Sequence, residues 1–155
     1  MSVRTAPRHQ SRRAALQVLY AADLAGAVRS GKPPEVEEIF GRVAQHFDLP
    51  AGAREFAAEL VGGVTSRLQA IDALLAESAR NWRISRMAAV DRNVLRLAAY
   101  ELGYTDTPAS VVLDEAIELA RDFGGERSPA FVNGVLDALA RSLASGADEP
   151  GGTST

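Results

Sequence analysis

The run from Val111 to Leu139, VVLDEAIELARDFGGERSPAFVNGVLDAL, holds two helical patterns around one interruption. Val112, Leu113, Ala116, Ile117, Ala120 and Phe123 recur at three- and four-residue spacing, the apolar stripe of an amphipathic helix. Gly124-Gly125 stops it. Ser128-Pro129 restarts it, a capping residue followed by a proline whose missing N–H has no intrahelical partner to lose. Phe131, Val132, Val135, Leu136, Leu139 and Leu143 then continue the same spacing. A connection this short favours antiparallel packing of the two helices.

The pattern extends outward in both directions. Ser85 is placed to cap a helix reaching about Leu102, with Val90, Val94, Leu97 and Leu102 on one side, and GYTDTP ends it. NWRI, just before it, reads as a connector. Further upstream, Phe56, Leu60, Val64, Leu68, Ile71 and Leu75 form one stripe, which Gly62-Gly63 is expected to weaken or break. Pro33 and Pro34 open a helix carrying Val36, Ile39, Phe40, Val43 and Phe47; Pro50 and Gly52 close it off. Leu16, Leu19, Tyr20 and Leu24 share a face of the first helix, with Gly26 as terminator and AVRSGKPP as loop. No alternating strand pattern competes. The fold class is all-α, about seven helices in two packed antiparallel bundles. One helical domain is expected over 1–144, as sub-bundles of roughly 1–76 and 80–144, with a disordered tail over 145–155.

Composition narrows the chemistry. The 155 residues are 46% hydrophobic and 24% charged, within the range of ordinary globular domains. With no cysteine, disulfides, thiolate metal sites and cysteine nucleophiles are excluded. This fits a reducing cytoplasm. No apolar run reaches the ~18 residues of a membrane span. His9 and His46 are the only histidines, and no metal-ligand spacing, nucleophile elbow or phosphate-binding glycine loop is present. Asp114, Glu115 and Glu118 read as a solvated acidic face rather than an acid/base pair. Neither a catalytic group nor a cofactor nor a metal is expected.

Charge is unevenly spread. The chain carries 17 Lys+Arg against 20 Asp+Glu, yet Arg4, Arg8, Arg12 and Arg13 precede the first acid, Asp23. If Ser11 caps the first helix, Arg12 and Arg13 occupy its first turn, where the helix dipole disfavours cations by roughly 0.3–1 kcal/mol each. A polyanion relieves that conflict, and a nucleic-acid backbone fits the site. The bland alternative is a basic leader with no specific partner.

Four motifs carry a family resemblance: RRAALQVLYAAD (Arg12–Asp23), RNVLRLAAYEL (Arg92–Leu102), VVLDEAIELARDFG and SPAFVNGVLDAL. Their order and gaps resemble those of the NusB family of bacterial transcription antitermination factors over nearly the whole chain except the tail. A related domain precedes the catalytic domain in certain ribosomal RNA cytosine methyltransferases; the stand-alone factor is the better match. The resemblance implies binding to boxA, a single-stranded element of ribosomal RNA leaders. It also implies pairing with NusE, a small-subunit ribosomal protein, and loading onto RNA polymerase so that ribosomal RNA genes are read past terminators. Arg8, Arg12 and Arg13 match the family's arginine-rich start, with Arg4 and His9 as weaker members of an RNA grip. Phe131 matches a position expected to meet RNA bases, although its helical stripe fits plain core equally well. Arg127 stands where relatives often carry an acid; it adds a phosphate contact or changes base recognition. Tyr20 and Asp91 match positions expected to face NusE. Asn133 and Gly134 read as structural, the glycine serving close helix packing. Two other readings stay open: a homodimeric protein-interaction module, and an accessory domain for ribosomal RNA modification.

Overall fold

The computed structural model describes residues 5–26, 33–46, 48–50 and 52–148. Expectations placed on Arg4, on most of the loop before Pro33, on Phe47 and on 149–155 lie outside these residues. Seven α-helices occur among the described residues: α1 (Thr5–Leu24), α2 (Pro33–Gln45), α3 (Ala53–Ser66), α4 (Leu68–Ser78), α5 (Ala89–Tyr104), α6 (Ala109–Phe123) and α7 (Ser128–Asp148). A 3-10 turn, Ile84–Arg86, lies between α4 and α5. No strand occurs among the described residues.

Helices α1, α2 and α3 pack together, and α5, α6 and α7 form the second group. α4 packs on α5 and α7. One continuous apolar core runs through both groups, built on Leu16, Leu19, Leu60, Leu75, Leu95 and Leu136. α5 is the central element. It is buried at every position from Asn93 to Glu101, which its sequence stripe alone does not indicate.

Several local expectations are corrected. The third stripe breaks at Arg67, whose φ of −122° and ψ of 24° leave the helical region, and not at Gly62-Gly63. Gly63 stays helical because α3 approaches α5 there so closely that any Cβ would enter the Tyr100 ring. Ser85 caps nothing; it lies inside the 3-10 turn, and α5 begins four residues later, after Ala88. α7 continues through Asp148, into the stretch expected to be a tail. Gly134 faces open space, and Asn133 is exposed, so the close packing expected of that pair is absent. Ser128 does close the α6–α7 connection: its Oγ accepts a hydrogen bond from the Gly125 N–H at 3.0 Å.

Candidate nucleic-acid interface

The arginine-rich start is continuous helix. α1 begins at Thr5, so Ser11 is not its cap but a buried mid-helix residue. Its hydroxyl lies 2.7 Å from the Ala53 carbonyl and 3.0 Å from that of Pro7, tying α1 to the start of α3. Arg12 and Arg13 therefore sit beyond the first turn, and the conflict with the helix dipole does not arise.

Their charge is met from within the chain. Arg12, 4% exposed, donates from Nε to Glu101 Oε2 and from Nη2 to Glu101 Oε1, both at 2.8 Å. Its Nη1 lies 3.6 Å from Glu115. Burial pulls its pKa down, but the hydrogen bonds and charge of Glu101, then of Glu115, outweigh this and hold the guanidinium above its ordinary value. To take a phosphate, a guanidinium so enclosed has to give up its own pair. Arg13 pairs with Asp122 at 2.9 Å at the surface and lies over the Phe123 ring. His9 Nδ1 is 2.7 Å from Glu115, and its Nε2 is 3.4 Å from Glu118. The acidic cluster on α6 is thus not a merely solvated face: Glu115 and Glu118 receive α1. Arg8 is exposed, with its guanidinium 4.2 Å above the Phe56 ring. Among the described residues it has no carboxylate partner.

The other candidates lie toward the opposite end of α5. From Glu101 to Asp91 the helix spans about 15 Å at 1.5 Å per residue. Phe131, Arg127 and Asp91 line one surface groove of about 520 Å³ beside the start of α5. Asp91 Oδ1 is buried and receives no hydrogen bond from the described residues. Phe131 is partly buried, packed against the core but reaching the surface. It meets the Trp82 ring edge-on at a centroid distance of 5.5 Å and an interplanar angle of 75°. Trp82 is 58% exposed. The pair forms a ridge, with a second groove of about 530 Å³ on its other side, bounded by Arg80, Gly134 and Ala138.

The sequence singles out Phe131 but not Trp82, which lies in NWRI, a stretch that reads as a connector. The signal was available: Arg80, Trp82, Arg83 and Arg86 interleave cations with an aromatic ring. Among the described residues neither these three arginines nor Arg127 pairs with a carboxylate.

Tyr20 is 38% exposed between the two ends. It lines an apolar groove with Leu16, Val43, Val90 and Phe123, and Leu24 is exposed one turn further along α1. Tyr20 and Asp91 thus open onto different grooves, joined through the neighbours Val90 and Asp91.

The buried end of α1 is fixed by a polar network. Asp23 Oδ2 accepts from Arg92 Nε at 2.7 Å and from Asn93 Nδ2 at 2.9 Å, with Arg96 Nη1 at 3.5 Å. Arg96 also donates two bonds to Asp72, at 2.9 and 3.0 Å. Burial raises the Asp23 pKa, but the Asn93 and Arg92 hydrogen bonds, with the Arg92 and Arg96 charges, bring it below its usual value. This network joins α1, α4 and α5.

Residues 9–141 match the NusB family. A protein named transcription antitermination protein NusB, from Geotalea daltonii, is 44% identical over 138 residues, covering 88% of this chain and 95% of its own length. Among solved structures, T. maritima NusB superposes with a TM-score of 0.75 at 36% identity, covering 86% of this chain and 90% of that one. A chain from the crystal structure of antitermination factors NusB and NusE in complex with dsRNA superposes with a TM-score of 0.76 at 28% identity, covering 91% and 99%.

Proposed function

The chain belongs to the NusB family of transcription antitermination proteins, and from that membership we propose that it binds the single-stranded boxA element of ribosomal RNA leaders together with NusE. The pair is then carried on RNA polymerase and promotes processive transcription of ribosomal RNA genes in the cytoplasm. The role is one of binding and assembly, without catalysis. The observation that carries RNA binding is the co-location of Arg127 and Phe131 on one surface groove. Such a groove offers a phosphate partner beside a ring on which a base can stack. Arg8, without a carboxylate partner among the described residues, supplies a cation at the far end of the surface, while Arg13 contributes from a surface pair that a phosphate can compete for and His9 from a part-buried one.

NusE is assigned to the apolar groove of Tyr20, with Asp91 at its border, where the adjoining groove of Arg127 and Phe131 begins. An exposed aromatic beside an apolar groove is a common anchor at protein interfaces. The same apolar groove supports self-association when NusE is absent.

The test is co-purification with NusE and a boxA-bearing RNA, followed by anisotropy titration of the labelled RNA with and without NusE. Retention of both partners, with tighter RNA binding in the presence of NusE, is the expected result. Incubation with ribosomal RNA and a methyl donor should give no methylated product; if product forms, the non-enzymatic reading fails.

A further inference from the structure

The geometry points to Trp82 as the main nucleobase-stacking platform of this protein, with single-stranded RNA crossing the Trp82–Phe131 ridge and its backbone following Arg80, Arg83, Arg86 and Arg127. The inference rests on the RNA-binding reading above and extends its site from the Arg127–Phe131 groove to the segment between α4 and α5.

The first reason is electrostatic. Within the arm, Arg12 and Arg13 are paired to Glu101 and Asp122. Around the ridge, the four arginines have no carboxylate partner among the described residues. A guanidinium already paired must give up its partner to take a phosphate; an unpaired one gains the contact directly. The second is the exposure of the indole. Trp82 is more than half exposed although it is the largest apolar side chain available, and its edge contact with Phe131 orients it without covering it. Every base has a π-face, so such a ring binds single strands with little regard to sequence.

The grooves on either side favour bases over other occupants. Glu77 and Glu126 reach their rims, so the patch is mixed in charge rather than uniformly basic. A duplex, which presents its phosphates outward, meets those carboxylates. A single strand can turn its bases toward them, where carboxylates accept from base N–H donors, and leave its phosphates to the arginines. Gly134 and Ala138 put only small side chains into the wall of the second groove.

Trp82 is the only tryptophan in the chain, so its emission reports on the site without a label. The intact protein is titrated with a boxA-bearing single-stranded RNA, with the same RNA as a duplex, with inorganic polyphosphate and with NusE alone. In parallel, anisotropy of labelled RNA measures binding by any surface. The expected result is saturable quenching by the single strand at the midpoint seen by anisotropy, with little quenching by polyphosphate. Trp82→Ala weakens RNA binding roughly five- to a hundredfold, and Trp82→Phe recovers most of the loss. RNA binding by anisotropy with unmoved emission, and with Trp82→Ala binding like the parent, overturns the ridge while leaving the RNA reading intact. Absence of any anisotropy change removes both. Quenching by NusE alone, with no further change on adding RNA, assigns the ridge to protein contact and overturns the proposal.

Discussion

Arg12 and Glu101 form a parallel, doubly hydrogen-bonded pair across the interface of α1 and α5, with both side chains out of solvent. Removing one member leaves an uncompensated buried charge, which costs about 3–5 kcal/mol. Arg12→Ala should therefore lower the thermal midpoint by about 6–20 °C for a chain of this size, followed by circular dichroism. Replacing both residues by apolar ones, Arg12→Met with Glu101→Leu, should recover most of the stability. RNA affinity of that folded double variant should match the parent. A large loss of RNA binding in a well-folded double variant would return Arg12 to the RNA surface.

Asp23 makes stability depend on pH in the acid range. Its pKa is lowered on folding, so its contribution is present above the unfolded value of about 3.9 and is lost as pH falls through the lower folded value. Asp23→Asn should be less stable than the parent near neutrality, and the gap should narrow progressively below about pH 4. Denaturant midpoints measured from neutral pH downward check this. A gap that stays constant would mean that shape, not charge, is what Asp23 supplies.

Two helical glycines should respond to alanine with opposite signs. At Gly63 a Cβ enters the Tyr100 ring, and Gly63→Ala should destabilise by about 1–3 kcal/mol through overpacking. At Gly134 nothing lies within reach, and Gly134→Ala should stabilise by up to about 1 kcal/mol from helix propensity. Urea unfolding of both variants decides the matter; equal signs would contradict the close α3–α5 approach.

The apolar groove predicts a partner-binding phenotype without a folding one. Tyr20→Ala and Leu24→Asp alter exposed positions and should leave the thermal midpoint nearly unchanged. NusE affinity should fall by about 2 kcal/mol if Tyr20 is an interface anchor, as read by calorimetric titration. Sedimentation at several concentrations should show weaker self-association of Leu24→Asp. NusE binding at parental strength by both variants would place the interface elsewhere.

Salt dependence separates the arm from the ridge. Each phosphate contact on a single strand contributes about 0.7 to the log–log salt slope. Alanine at Arg80, Arg83 and Arg86 together should flatten that slope by about 2 if all three meet phosphates. Arg12→Met in the double variant above should leave the slope unchanged. The reverse pattern would restore the arm as the principal RNA contact.

The helical elements were legible because they are local. The stripes in Val111–Leu139 and in the first helix each bury one face, and the Ser128-Pro129 and Gly124-Gly125 signals act within a turn or two of themselves. Misreadings arose where a distant helix set the outcome. Gly62-Gly63 carries the local signal of a break, yet the helix runs through it, and at Gly63 only glycine admits the Tyr100 ring. Ser11 was read as a cap, yet its hydroxyl is taken up by the carbonyl of Ala53, 42 positions away.

The sequence by itself determined the all-α class, the existence and approximate extent of the helices, and, through its motifs, the family. Those depend on apolar periodicity and on short motifs whose order and spacing are written in the chain itself. Only the tertiary structure decided which cations are free. Charge pairing between Arg12 and Glu101, or between Asp23 and Arg92, joins residues far apart in the chain, and Coulomb attraction follows distance in space rather than position in sequence. A count of arginines therefore pointed to the arm, whereas folding neutralised much of the arm and left the arginines beside Trp82 without carboxylate partners among the described residues.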